Sequence, residues 1–236
     1  MAVFVMIHGS FHGGWCWRKL LPYLLAHGHE VYTPTLTGLG ERAHLASPAT
    51  DLETHIADVL GVFRFEELDN VFLCAHSYGG MVARGVADRI PHQIAALIYI
   101  DALVPLDGQS VMDLIEEHYV EFYRTSARDE GEGWRVSPVP ADAYGVTNPA
   151  DAAWVNRLCV PHPIASYEQP IRLSDEGDGV ERHVYIRAQQ FKEDRMDAFA
   201  LAAERDPAWQ VVTLDAGHDL MISTPFELAQ VLLGAI

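Results

Sequence analysis

Basic residues are scarce in this chain of 236 residues: 16 Lys and Arg stand against 33 Asp and Glu, a formal charge of −17. Without clustered Lys and Arg nothing neutralises a run of phosphates, which excludes nucleic acid as a partner. Cysteine is scarce as well. Cys16, Cys74 and Cys159 are odd in number and widely spaced, so neither a disulfide framework nor a paired-cysteine zinc site is signalled, and free thiols point to the cytoplasm. No apolar run is long enough to span a bilayer. The short run at the N-terminus has no basic residues before it and meets His8 at once, so it reads as a core strand rather than a signal peptide. Internal repeats and low-complexity tracts are missing. So is any HExxH-like spacing for a metal, and Gly38-Leu39-Gly40 does not grow into a complete G-x-G-x-x-G after the first strand, which leaves no call for a metal or a cofactor.

What the chain does have is apolar material, 49% of its residues with 21% charged. That is an ordinary globular balance, at a length suited to one large domain. Short apolar runs alternate with longer helical patterns, the mark of a parallel sheet covered on both faces. Ala2–Ile7, Glu30–Thr33, Val71–Ala75, Ala95–Ile100, His183–Ile186 and Val211–Leu214 are too short for helices and rich in β-branched or aromatic residues, predicting six strands. Leu52, Ile56, Val59, Leu60 and Phe63 form one helical face, opened by a capping box of Thr50 and Glu53, while His55 and His92 fall on polar faces. Trp17, Leu20, Leu21, Leu24 and Leu25 form another face, and Thr224-Pro225 starts the last helix. From Pro105 to Gly179 the alternation fails and prolines and aromatics accumulate. A structureless loop of that length is improbable in a compact domain; an inserted cap at 105–179, partly helical and roofing a pocket, fits better, with core segments at 1–104 and 180–236.

Three motifs carry the chemistry. Cys74-Ala75-His76-Ser77-Tyr78-Gly79-Gly80 follows a buried strand and opens a helix, the setting of a nucleophile elbow that projects Ser77. Ala75 stands where the first small residue is usually glycine. His8-Gly9-Ser10-Phe11-His12-Gly13-Gly14 follows the first strand and can aim a backbone N–H into a site, which makes the N–H groups of Ser10 and Tyr78 the candidate oxyanion hole; Tyr78 also stands at a helix N-terminus, favourable to developing negative charge. Asp215-Ala216-Gly217-His218-Asp219 follows the last strand and brings His218 to the same sheet edge as Ser77, suited to accept and return the serine proton.

In this order the motifs make the chain resemble the α/β-hydrolase superfamily, within it the group of plant methylesterases of the salicylate-binding type, hydroxynitrile lyases and small bacterial esterases. The likeness runs nearly end to end, through H-G-S-F-H-G-G-W-C-W, T-G-L-G-E-R, A-H-S-Y-G-G and A-G-H. It implies a serine hydrolase that cleaves a small apolar or aromatic carboxylic ester through an acyl-enzyme, on an α/β-hydrolase fold of about six mostly parallel strands. Lyases of the group carry Thr or Asn in the oxyanion loop and often Lys after the catalytic histidine. Gly9 and Asp219 occupy those positions here, and an aspartate would repel departing cyanide. A lyase, or a receptor that binds its ligand with little turnover, remains the alternative.

The third member of the triad has several candidates. In the plant branch the acid lies after the strand matching Val184–Ile186, where this chain has Gln or Phe. Asp101 ends the apolar run Ala95–Ile100, and a carboxylate there needs a partner such as His218. Glu193 and Asp194 are the alternative acids, although both also read as helix N-terminal charges. Phe11, His12 and Trp134 are the candidate substrate-binding residues. The partner implied is a small-molecule ester, with no membrane; a homodimer is left open.

Overall fold

The computed structural model describes residues 1–174 and 178–236, so positions 175–177 of the expected 105–179 cap lie outside the described residues. The strands are β1 Val3–Ile7, β2 Glu30–Tyr32, β3 Val71–His76, β4 Ile94–Ile100, β5 Arg135–Val136, β6 His162–Pro163, β7 His183–Ala188 and β8 Trp209–Leu214. Six of them form one sheet in the order β2-β1-β3-β4-β7-β8, parallel throughout. β5 and β6 form a small antiparallel pair apart from it. The α-helices are α1 Leu21–Ala26, α2 Leu52–Phe65, α3 Gly79–Arg89, α4 Val111–Leu114, α5 Glu117–Asp129, α6 Pro149–Leu158, α7 Ala165–Glu168, α8 Asp194–Glu204, α9 Leu220–Ser223 and α10 Pro225–Gly234.

Successive strand residues point to opposite faces, and the core divides accordingly. Val5, Ile7, Leu73, Leu97, Tyr99 and Tyr185 pack into one cluster with residues of α2, α3 and α8. Phe4, Met6, Phe72, Cys74, Ile98 and Ile186 pack into the other with Trp17, Leu24 and residues of α9 and α10. Because both faces are covered, the central strands read as unbroken apolar runs rather than alternating ones. The strand order reverses beside β1, which places a crevice at the carboxyl ends of β1 and β3.

Local chemistry departs from the sequence expectation in three places. The capping box of α2 is one residue later than Thr50–Glu53: Asp51 accepts from the Thr54 N–H at 2.9 Å, while Thr50 Oγ1 turns back to accept from the Ser47 N–H. The Trp17–Leu25 face is split, a 3₁₀ segment Gly14–Lys19 being followed by α1, because Pro22 fits only the first turn of a new helix. His55, expected on a polar face, is wholly buried.

The segment between β4 and β7 holds α4 to α7 and the β5–β6 pair. Gln169 ties it to the core by capping α2: its Oε1 accepts from the Glu53 N–H and its Nε2 donates to Asp51, at 2.8 and 2.9 Å. Among the described residues no helix is long and apolar enough to cross a membrane.

Candidate active site

Ser77 occupies the turn between β3 and α3 with φ +54°, a left-handed conformation that a non-glycine residue adopts only when its surroundings hold it. They do so closely. The Ser77 N–H donates to the Ile100 C=O, and the Ser77 C=O accepts from Leu103 N–H and Gly80 N–H at 3.1 and 3.0 Å. A Cβ added to Gly80 would stand 2.0 Å from the Leu103 carbonyl oxygen, so helix and loop can meet at this distance only over glycine.

The glycine-rich loop after β1 is fixed by His8. Its buried Nδ1–H donates to the Gly9 C=O at 2.8 Å, and its Nε2 accepts from the Leu36 N–H at 3.1 Å; that pattern requires the neutral Nδ1–H tautomer. Burial drives its pKa down to about 3, against the opposing pull of the Gly9 carbonyl. The Gly9 C=O and the Ser10 N–H belong to one planar trans peptide and point in opposite directions, so His8 sets the direction of the Ser10 N–H. Tyr78 is held by His55, whose Nε2–H donates to the Thr37 C=O at 2.9 Å and whose Nδ1 accepts from the Tyr78 hydroxyl at 2.7 Å.

Asp101 directly follows β4, also with positive φ, +44°, and its N–H donates to the Ile186 C=O. One carboxylate oxygen, Oδ2, accepts from His218 Nδ1–H at 2.6 Å. The other, Oδ1, accepts from Arg187 Nη1 at 2.7 Å and the Ala188 N–H at 3.0 Å. Burial alone would raise the Asp101 pKa, but the His218 hydrogen bond and charge, then Arg187 and the Ala188 N–H, hold it below the ordinary value. With Nδ1 committed, His218 presents Nε2 as its basic nitrogen. The ring is packed by Phe191, stacked at 4.4 Å, and by His76 at 4.6 Å between centroids. His76 Nε2–H donates to the His218 C=O at 3.0 Å.

A second buried acid–histidine pair lies alongside. His12 donates from Nδ1 to the Ser10 C=O at 2.7 Å and from Nε2 to Asp219 Oδ2 at 3.2 Å. Two donors make it an imidazolium. Burial opposes that charge, but Asp219 and Cys159 together outweigh it and raise the His12 pKa well above its ordinary value; Asp219, despite its own burial, is lowered first of all by His12.

A cavity of about 120 Å³ brings these groups together. Ser77, His218, Ser10, Tyr78 and His12 all line it, and the 105–179 segment adds Val111, Leu114, Ile115 and Val139 beside three tyrosines. Phe11 and Trp134 do not line it. Phe11 is turned inward at φ +65°, its N–H bonded to His162 Nδ1 and its ring against His162 and Tyr123. Trp134 lies under the Arg135 guanidinium, 4.8 Å from it. The causes differ: Phe11 is buried in the core, whereas Trp134 stays half-buried with its ring against Arg135. Glu193 lines the cavity as the N-cap residue of α8, and Asp194 is exposed in that helix's first turn. Burial, then a hydrogen bond and charge from Glu116, push the Glu193 pKa to about 7. The carboxylate bonded to His218 is that of Asp101.

Sequence reasoning missed His8, His55 and Arg187. His55 sits three residues after Leu52 and one before Ile56, within the apolar stripe, so its position was the signal and its polarity concealed it. A lone Arg in the run His183–Ala188 was the signal for Arg187, since buried charge is paired.

Residues 4–231 match the alpha/beta hydrolase family. The chain is 45% identical to a carbendazim hydrolyzing esterase from Nocardioides sp. (strain SG-4G), the alignment covering 98% of each chain. It is 27% identical to methylesterase 9 of Arabidopsis thaliana, over 99% of this chain and 97% of that one. Among solved structures, an Arabidopsis methylesterase superposes with a TM-score of 0.80 at 25% identity, covering 100% of this chain and 98% of that one. An extracellular alpha/beta-hydrolase from a Paenibacillus species has the same fold, with a TM-score of 0.87 at 21% identity and coverage of 100% and 99%.

Proposed function

The chain belongs to the alpha/beta hydrolase family and cleaves esters; from that premise we propose that Ser77, His218 and Asp101 are its nucleophile, base and acid. The observation that carries this reading is the 2.6 Å hydrogen bond between buried Asp101 and His218, made at the cavity that Ser77 lines from its elbow. Asp101 holds the imidazole in the Nδ1–H tautomer and stabilises the imidazolium that forms when Nε2 takes the serine proton. Ser77 Oγ then attacks the ester carbonyl. The Ser10 and Tyr78 N–H groups receive the negative charge that develops on the carbonyl oxygen. His218 returns the proton to the departing alcohol, and a water activated by the same nitrogen releases the acid from the acyl-enzyme.

The small apolar cavity supports a small ester with an apolar or aromatic group, under a cap formed by 105–179. The likeness to an esterase named for carbendazim hydrolysis and to plant methylesterases supports methyl esters and methyl carbamates as first substrates to try. The three unpaired thiols favour the cytoplasm.

Gly9 weighs against cyanohydrin cleavage. A Cβ there would stand 2.8 Å from both Ser77 Cβ and His76 Nδ1, leaving no room for the Thr or Asn of a lyase. The Coulomb argument from Asp219 is weaker than the sequence implied, because His12 neutralises that charge.

The test is hydrolysis of p-nitrophenyl acetate and of methyl benzoate esters by the wild type and Ser77→Ala. Turnover confined to the wild type is expected. Equal rates would remove the enzyme reading, and Ser77-dependent cleavage of mandelonitrile without ester hydrolysis would make the protein a lyase.

A further inference from the structure

Arg187 stands on β7 at 4% exposure, a rare position for a guanidinium, and the reaction above makes no use of it. Nη1 donates to Asp101 Oδ1 at 2.7 Å and to the Ala188 C=O at 2.6 Å, Nη2 to the Phe191 C=O at 2.6 Å, and Nε to Asp197 Oδ1 at 2.8 Å. We propose that Arg187 is a positioning residue for the base: it holds at once the carboxylate that orients His218 and the Phe191 ring stacked on it, and its charge offsets part of the Asp101 field at the imidazole. The proposal rests on the reading of Ser77, His218 and Asp101 given above.

Three elements meet in this one fork: the end of β4 through Asp101, the loop after β7 through Phe191, and α8 through Asp197. A guanidinium is planar and rigid, so it fixes the relative positions of its acceptors as an ammonium cannot. By engaging Oδ1 with the Ala188 N–H, it leaves Oδ2 for His218. An imidazole located at its Nδ1 edge by Asp101 and on its ring by Phe191 has little freedom to tilt, and small misplacements of a base are costly in rate.

The electrostatic part has a definite sign. The titratable and charged groups around the site are Asp101 just after β4, His76 at the end of β3, His12 in the loop after β1, Tyr144 from the 105–179 segment, His218 and Asp219 from the loop after β8, Glu193, Arg195 and Asp197 at α8, and Tyr185 on β7 itself. A cation 2.7 Å from Asp101 makes an imidazolium less favourable than the carboxylate alone would. Removing that cation keeps the base protonated to higher pH.

Arg187→Met removes charge and fork together, whereas Arg187→Lys keeps the charge and loses the fork. With p-nitrophenyl acetate, Arg187→Met is expected to lower kcat about 10- to 100-fold at a KM within about twofold of wild type, and to move the acid limb of the kcat/KM profile up by about one pH unit. Arg187→Lys is expected to lose kcat by a similar factor with the acid limb in place, and to shift the downfield proton resonance of the His218 Nδ1–H. A folded Met variant with the wild-type acid limb overturns the proposal. So does a Lys variant with wild-type kcat or an unmoved Nδ1–H resonance, and the Lys variant decides alone if the Met variant does not fold. These outcomes are distinct from turnover persisting in Ser77→Ala, which would remove the underlying reading rather than the role of Arg187.

Discussion

At the scale of single residues, the site is built from histidines whose tautomers are set by what surrounds them. His8, His55 and His76 are buried, each with one ring nitrogen donating to a backbone carbonyl, and each is kept below its ordinary pKa by burial first of all. His8 links Gly9 to Leu36, His55 links Thr37 to the Tyr78 hydroxyl, and His76 is tied through Nε2 to the His218 C=O. His12 is the exception, charged because Asp219 pairs with it. Two predictions belong here. Asp101→Asn retains an acceptor for His218 but also permits the wrong tautomer, so kcat should fall by about 10³- to 10⁴-fold with the fold intact; a near-normal rate would pass the acid role to Glu193 or Asp194. Asp219→Asn leaves a buried imidazolium without its counter-charge, at a cost of about 3 kcal/mol, read as a lower urea midpoint at unchanged m-value.

At the scale of elements, the elbow works because chain segments pass closer than side chains allow. Gly80→Ala would drive a Cβ into the Leu103 carbonyl and should cost about 3 kcal/mol, the upper end for overpacking, together with most of the activity, since the same loop bonds the Ser77 carbonyl. Thermal melting alongside ester turnover would check both losses; a wild-type melting temperature would show that the loop gives way freely. The motif was legible because its residues are adjacent and each answers a steric need. The α2 cap was legible only to within one residue: Thr50 and Asp51 are both good caps, and only the path of the chain from Ser47 decided between them. Phe11 and Trp134 were misread for a similar reason. Sequence shows that they are aromatic but not which side of a loop they face.

At the scale of the whole molecule, the buried histidines make a collective prediction about pH. His8, His55, His76 and His162 all have folded pKa values below the ordinary 6.5. Below pH 6.5 the unfolded chain takes up protons that the folded chain refuses, so stability falls as pH falls through the interval down to about 3, the value for His8 and His76. His12 has the opposite sign: its contribution is complete below 6.5 and is lost as pH rises through its raised value. Below 6.5 the His12 contribution no longer changes, so the four act unopposed by it on the acid side, each contributing up to about 1.4 kcal/mol per pH unit. The melting temperature should therefore drop steeply between pH 6.5 and 5; a flat profile there would mean that these histidines are protonated in the folded state.

The sequence by itself determined the sheet, its helical cover, the turn that carries Ser77, the glycine-rich loop after β1 and the loop that carries His218, because each is written in a run of neighbouring residues whose spacing matches the period of its element. Only the tertiary structure decided which acid meets His218, since Asp101 and His218 lie 117 positions apart and come together only through the alignment of β4, β7 and β8. It also decided which partners Arg187, His8 and His55 bond to. Their roles depend on what a buried polar group finds as a partner, and local sequence does not specify that partner.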